Sequence, residues 1–177
     1  MSTPIDPDQL YSDVWRMRRE GRQDEALRAA SDALAEVRRA PDAKTLARVL
    51  CVMGQMERDH DRPADAAASY LEAADLYRGL GDLEGIAYAV RHACDLQREL
   101  GHLKKAEALG AEGLAAYRTM KASGQASALD LANMLRVYGL LKEDLGERDE
   151  GRALWAEAGE LYAEARIQAG VDEAKRH

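Results

Sequence analysis

Apolar residues recur along this chain at helical spacing. "LARVLCVMGQMERDH" puts Val49, Leu50, Met53, Gly54 and Met56 on one face of a helix. "AYAVRHACDLQREL" does the same with Ala89, Val90, Ala93, Cys94, Leu96 and Leu100, and "ANMLRVYGLLKEDL" with Met134, Leu135, Tyr138, Gly139, Leu141 and Leu145. These are helical spacings, not the alternation of a strand. Each stretch is followed by a second helical one. "GRQDEALRAASDALAEV" starts at Gly21, "DRPADAAASYLEAADLY" at Asp61, "GHLKKAEALGAEGLAAY" at Gly101 and "GERDEGRALWAEAGELY" at Gly146, so successive starts lie 40, 40 and 45 residues apart. The sixth position is small in all four (Ala26, Ala66, Ala106, Gly151), and so is the thirteenth (Ala33, Ala73, Gly113, Ala158). Two helical turns separate them, so both lie on one face, where a neighbouring helix can come close. The last position is bulky: Val37, Tyr77, Tyr117, Tyr162.

Turn residues fall between the helices. Gly21, Gly101 and Gly146 sit where each first helix ends, a usual place for a left-handed cap, and Asp61 takes that column in the second repeat. Pro63 then falls near the first turn of the next helix, where proline is tolerated. Pro41-Asp42 and Gly81-Asp82, again 40 apart, mark boundaries between repeats. Ser127 with Asp130 forms a capping-box pattern, and the five extra residues of the last interval fall around the polar "KASGQ". The pattern is therefore four units of helix, tight turn, helix.

With small residues seven apart in the second helix, Gly-x-x-x-x-Ala at the turn, and Gly, Leu or Tyr in the first helix, the chain resembles the tetratricopeptide repeat (TPR). The 40-residue period and "LYRGLGDLEGIAYAV" are similar to the longer-helix variant of kinesin light chains and LGN-type adaptors. The resemblance covers about residues 8 to 169. It implies an all-α, right-handed superhelix of four TPR-like repeats, about eight antiparallel helices. The expected layout is one domain over 1–170, with repeats at about 7–40, 41–80, 81–120 and 126–169, and a polar tail at 171–177. Asp13 and Arg16 occupy columns that are apolar elsewhere, so the first repeat reads as a solvated cap.

Composition narrows the function. Hydrophobic residues make up 46% of 177 and charged residues 32%, enough for a core beneath a solvated surface. A net charge of −7 argues against a general nucleic-acid binder. Two cysteines cannot build a disulfide framework, no secretory signal pattern opens the sequence, and no apolar run is long enough for a membrane span. A cytoplasmic setting is expected.

In such arrays the first helices line a concave wall. Opposite their apolar columns lie Asp8, Tyr11, Trp15 and Arg18; Arg48, Cys51, Gln55 and Arg58; Tyr88, Arg91, Asp95 and Arg98; and Asn133, Arg136, Leu140 and Glu143. Six of the sixteen are Arg and three are acidic, an excess of Arg against the net charge. The expectation is an Arg-rich groove for a peptide or partner protein that carries carboxylates, which the guanidinium fork binds at two points. Arg91, Asp95 and Arg98 can equally pair along their own helix. The carboxylate clamp of the chaperone-binding TPR domains is missing: its columns hold Tyr11, Trp15, Val52, Tyr88 and His92, so chaperone tails are not the expected ligand.

No enzyme is expected. His92 and Cys94 are two apart on a helix and point about 200° apart, so they cannot hold one ion. No Cys-x2-Cys or His-x3-His spacing occurs, and no metal or cofactor is expected. Cys94 shares the column of Gly54 and Gly139 and reads as packing. Cys51 faces the groove and is a candidate thiol without an evident base. No set of acid, base and nucleophile converges. The last helix presents Leu154, Trp155, Leu161 and Tyr162 over a wide arc, and "VDEAKRH" is too short to cover it. A homodimer through the C-terminal repeat is therefore expected. The function expected is non-enzymatic scaffolding; the alternative is a regulatory or sensor module acting on a partner enzyme or transcription factor.

Overall fold

The computed structural model describes residues 5–39 and 42–177; Pro41, one of the boundary markers, lies outside them. Nine helices follow one another among the described residues: α1 (Pro7–Arg19), α2 (Gln23–Val37), α3 (Ala43–Asp59), α4 (Pro63–Leu80), α5 (Leu83–Glu99), α6 (Leu103–Ala122), α7 (Ala128–Asp144), α8 (Arg148–Glu164) and α9 (Gln168–Ala174). They divide into two compact units, Met1–Ala89 and Val90–His177. In the first, α1, α2, α3 and α4 pack in succession; in the second, α6, α7, α8 and α9 do so.

The small columns carry the packing. Ala26, Ala66, Ala106, Ala73 and Ala158 are fully buried, Ala33, Gly113 and Gly151 are buried, and so are Val37, Tyr77, Tyr117 and Tyr162. The first helices add a complementary column. Gly54 of α3 faces the Tyr70 ring of α4, which would lie 2.8 Å from an added Cβ. Gly139 of α7 faces the Trp155 ring of α8 at 3.1 Å. In the third repeat the sizes are exchanged: Cys94 stands where those glycines stand, and Gly110 stands where the rings stand. Cys94 donates its S–H to the Ala106 carbonyl at 3.3 Å, the packing role its column predicts.

Chain reversals fall where the sequence places them. Gly21, Gly101 and Gly146 have φ of 75°, 76° and 81°. Asp61, in the same column, takes φ 56°, a left-handed conformation that costs an ordinary L-residue about 1–2 kcal/mol and aspartate less. The Ser127–Asp130 capping box is present. The first helix of the second repeat opens on Asp42, whose carboxylate accepts the Thr45 N–H at 2.8 Å.

A polar column closes the hairpins from inside. Glu57, Gln97 and Lys142 hold one position of the repeat and are all buried. Each meets the residue five further on, across the turn. Glu57 lies 3.8 Å from Arg62, Gln97 meets His102 Nδ1 at 2.8 Å, and Lys142 donates to Glu147 at 2.7 Å. Glu57 also accepts from Ser69 at 2.6 Å, and Lys142 donates to Glu107 at 3.0 Å. The first repeat has Met17 in this column, and its Arg22 pairs with Glu20 and Glu25 instead. In α1 only Val14 is fully buried, and Asp13 pairs with Arg16 at 2.6 Å on the surface, as a solvated cap requires.

The C-terminus departs from expectation. Residues 171–177 are not a free tail: α9 runs to Ala174 in the place of a fifth repeat's first helix. Gly170 packs on the Tyr162 ring as Gly85 packs on Tyr77, 85 residues earlier. Glu173 holds Arg136, and the His177 ring stacks on Trp155 at 4.1 Å. The hydrophobic pattern hid this helix because it is short and, outside Ala169, Gly170, Val171 and Ala174, polar. It removes the premise of the expected dimer: Leu154, Trp155 and Tyr162 are 6%, 1% and 3% exposed within the chain, and Leu161 is half-buried.

Candidate functional site

In the first unit the groove columns of α1 and α3 form a stacked cluster. Tyr11 is 47% exposed and meets the half-buried Trp15 edge-on, with ring centroids 5.3 Å apart. The Arg18 guanidinium lies 3.6 Å over the Trp15 ring, a cation–π contact. Its Nε and Nη2 both donate to Asp59, the latter at 2.9 Å, and Gln55 donates to the same carboxylate at 2.9 Å. Trp15, Arg18, Arg19, Gln23 and Asp59 line a shallow depression that is largely open to solvent. Nearby, Arg48 donates both Nη groups to Asp8. That hydrogen bond holds the Asp8 carboxyl below its usual range and pushes the Arg48 guanidinium up. Arg58 and Tyr88 are half-buried, and the Tyr88 ring lies 6.4 Å from that of Tyr70. Cys51 does not open to a groove: it is buried, and burial pushes its thiol up to about 12, the reverse of an activated nucleophile.

In the second unit the same columns are closed. Asp95 is 7% exposed, too buried to line a surface. Arg98 donates to it at 3.1 Å and to Asp144 at 3.1 Å. Arg136 Nε donates to both oxygens of Glu173 at 3.0 Å. Asn133 accepts the Tyr162 hydroxyl at 3.0 Å, and Arg91 meets His92 Nε2 at 3.0 Å. The expected row of open forks is therefore corrected. Arg18, Arg48, Arg98 and Arg136 each already hold a carboxylate of this chain.

The signal was present but spread across repeats. The partner of Arg18 is Asp59, 41 residues on, and that of Arg98 is Asp144, 46 residues on. Each interval is one period plus one. Helical spacing alone shows pairs three and four apart and misses acids a repeat away. It also missed Arg19 and Gln23, which lie outside the sixteen groove positions yet line the depression.

Among the described residues no group of His, Cys, Asp and Glu could hold a metal ion, and no helix is long and apolar enough to cross a membrane. No protein-family model matches the chain, and no curated protein matches it. Solved structures do. The chain is similar to BtubC (BKLC) from P. vanneervenii at 19% identity, covering 96% of this chain and 78% of that one, with a TM-score of 0.72. It is similar to MamA at 16% identity, covering 90% and 88%, with a TM-score of 0.61. Nearly identical TPR-like repeats of Podosopora anserina, named after kinesin light chain, match at 13% identity, covering 99% of this chain and 96% of that one, with a TM-score of 0.58. Together with the helix order and the repeated columns, these likenesses give the chain an all-α, TPR-like repeat fold.

Proposed function

We propose that this chain is a non-enzymatic scaffold that binds a peptide or partner protein on the first-helix face of its repeats. The observation that carries the reading is the Tyr11–Trp15–Arg18 stack. An exposed aromatic ring, a second ring edge-on to it and a guanidinium over that second ring form a rigid shelf, with Asp59 holding the guanidinium and Gln55 holding Asp59. Aromatic and arginine side chains already fixed in place lose little entropy on binding, which is why such groups dominate protein interfaces. Arg48, Arg58 and Tyr88 extend the face in the first unit. In the second unit Arg91 is the groove residue proposed to touch a partner, and Arg98, Asp95, Arg136 and Asn133 to hold the helices beneath it in place.

The test is affinity capture with the whole chain and with a Tyr11→Ala/Trp15→Ala variant of unchanged helicity. Loss of the captured partners in the variant supports the reading. An unchanged set of partners overturns it.

A further inference from the structure

We infer that the depression beside Trp15 receives an acidic side chain, Asp or Glu, of an extended partner segment. The inference rests on the proposed function and names the chemistry the face reads.

Three observations lead there. The first is the half-used guanidinium of Arg18. Its Nε–Nη2 edge is closed by Asp59 and one of its faces by Trp15. Its Nη1 has no hydrogen-bond partner among the described residues, so a second donor edge is left over. A guanidinium can donate to one carboxylate on each of two edges. The second is what stands next to it. Arg19 and Gln23 line the same depression, both are exposed, and neither side chain has a polar partner among the described residues. Three donor-bearing side chains thus line one hollow. The third is charge. Two guanidinium groups and one carboxylate line the hollow, and that carboxylate is already held by Arg18 and Gln55. The local charge is positive in a chain of net −7. An anion fits and a cation does not.

The depression is shallow and largely open to solvent, so it leaves room for an acid carried within a chain. The exposed ring of Tyr11, beside Trp15, then offers an apolar surface to the residue next to the acid.

The experiment is an NMR titration of the full-length ¹⁵N-labelled chain, following the Trp15 indole and Arg18 Nε–H signals. Three probes are compared: acetyl-Ala-Leu-Glu-Leu-Ala-amide, the same peptide with Gln for Glu, and the Gln peptide with a free C-terminal carboxylate. The expected result is a saturable shift with the Glu peptide alone. Its affinity falls with added salt, and by at least about threefold in Arg19→Ala/Gln23→Ala, whose two exposed changes leave the fold intact. Equal shifts with Glu and Gln peptides, or none with either, overturn the inference. Stronger binding of the free terminus overturns the side-chain assignment. Partner capture that needs Tyr11 and Trp15 but survives Arg19→Ala/Gln23→Ala would leave the scaffold reading standing and remove this one.

Discussion

The first-helix faces of the two units share their columns and use them differently. Up to Ala89, Tyr11 is exposed, Arg18 keeps one donor edge, and Arg19 and Gln23 stand free beside it. From Val90 on, Arg98 is held by two acids, Arg136 by Glu173, and Asn133 by a tyrosine hydroxyl. An arginine at a groove position is therefore not in itself a ligand fork. What decides its role is the acid that the next repeat brings to it. One face keeps donors for a partner, and the other uses them to tie its own helices together.

The largest expected effect tests what the two faces have in common. Both rest on a glycine that admits a ring. Gly54→Val and Gly139→Val should each lower stability by about 3 kcal/mol or more, because the added atoms meet Tyr70 or Trp155 with no room to move. Gly79→Ala, with nothing within 4 Å, should be neutral or stabilising. Urea unfolding measures all three; equal losses would show that the rings do not set the effect.

Next comes the closed face. Arg98→Ala removes a cation held by both the buried Asp95 and Asp144 carboxylates and should cost about 2–3 kcal/mol in the same assay. A loss below about 0.5 kcal/mol would show that the pair is no more than an exposed surface pair.

The hairpin turns sharpen the contrast by pH. Burial raises the Glu57 carboxyl above its ordinary 4.5. Its contribution to stability is fullest below that value and is lost as pH rises through the raised one. Glu147 is held below 4.5 by its bond from Lys142, so its contribution is present above 4.5 and is lost as pH falls. Acidification from neutral pH should protect the Arg62 amide, bonded to the Glu57 carbonyl. It should expose the Glu147 amide, bonded to that of Lys142. Amide exchange corrected for the intrinsic rate reads both; changes of one sign would break the pairing. Glu57→Gln, which copies Gln97, should add about 0.5–1 kcal/mol at neutral pH and abolish the first trend.

Much of the fold was legible in the sequence. The small columns, the left-handed turns and the capping box follow from local rules that act within two turns of helix. α9 was not legible, because one glycine against Tyr162 fixes a helix with almost no apolar pattern. At the candidate site, Tyr11, Trp15 and Arg18 were legible as columns. The state of each arginine was not, since it depends on an acid about one repeat away, Asp59 for Arg18, Asp8 for Arg48, Asp144 for Arg98 and Glu173 for Arg136. Depth was misread at Asp95 and Cys51, where a wheel shows direction but not how closely the neighbouring helix approaches.

The smallest stability effect belongs to the open face, and it gives the most direct test. Arg19→Ala and Arg98→Ala are compared for urea stability and for binding of the acetyl-Ala-Leu-Glu-Leu-Ala-amide probe. Arg19→Ala should leave stability within about 0.5 kcal/mol and weaken the probe, whereas Arg98→Ala should lose stability and, while folded, bind the probe as before. The contrary result, probe binding lost with Arg98 and kept without Arg19, would place the ligand on the second unit and contradict the account.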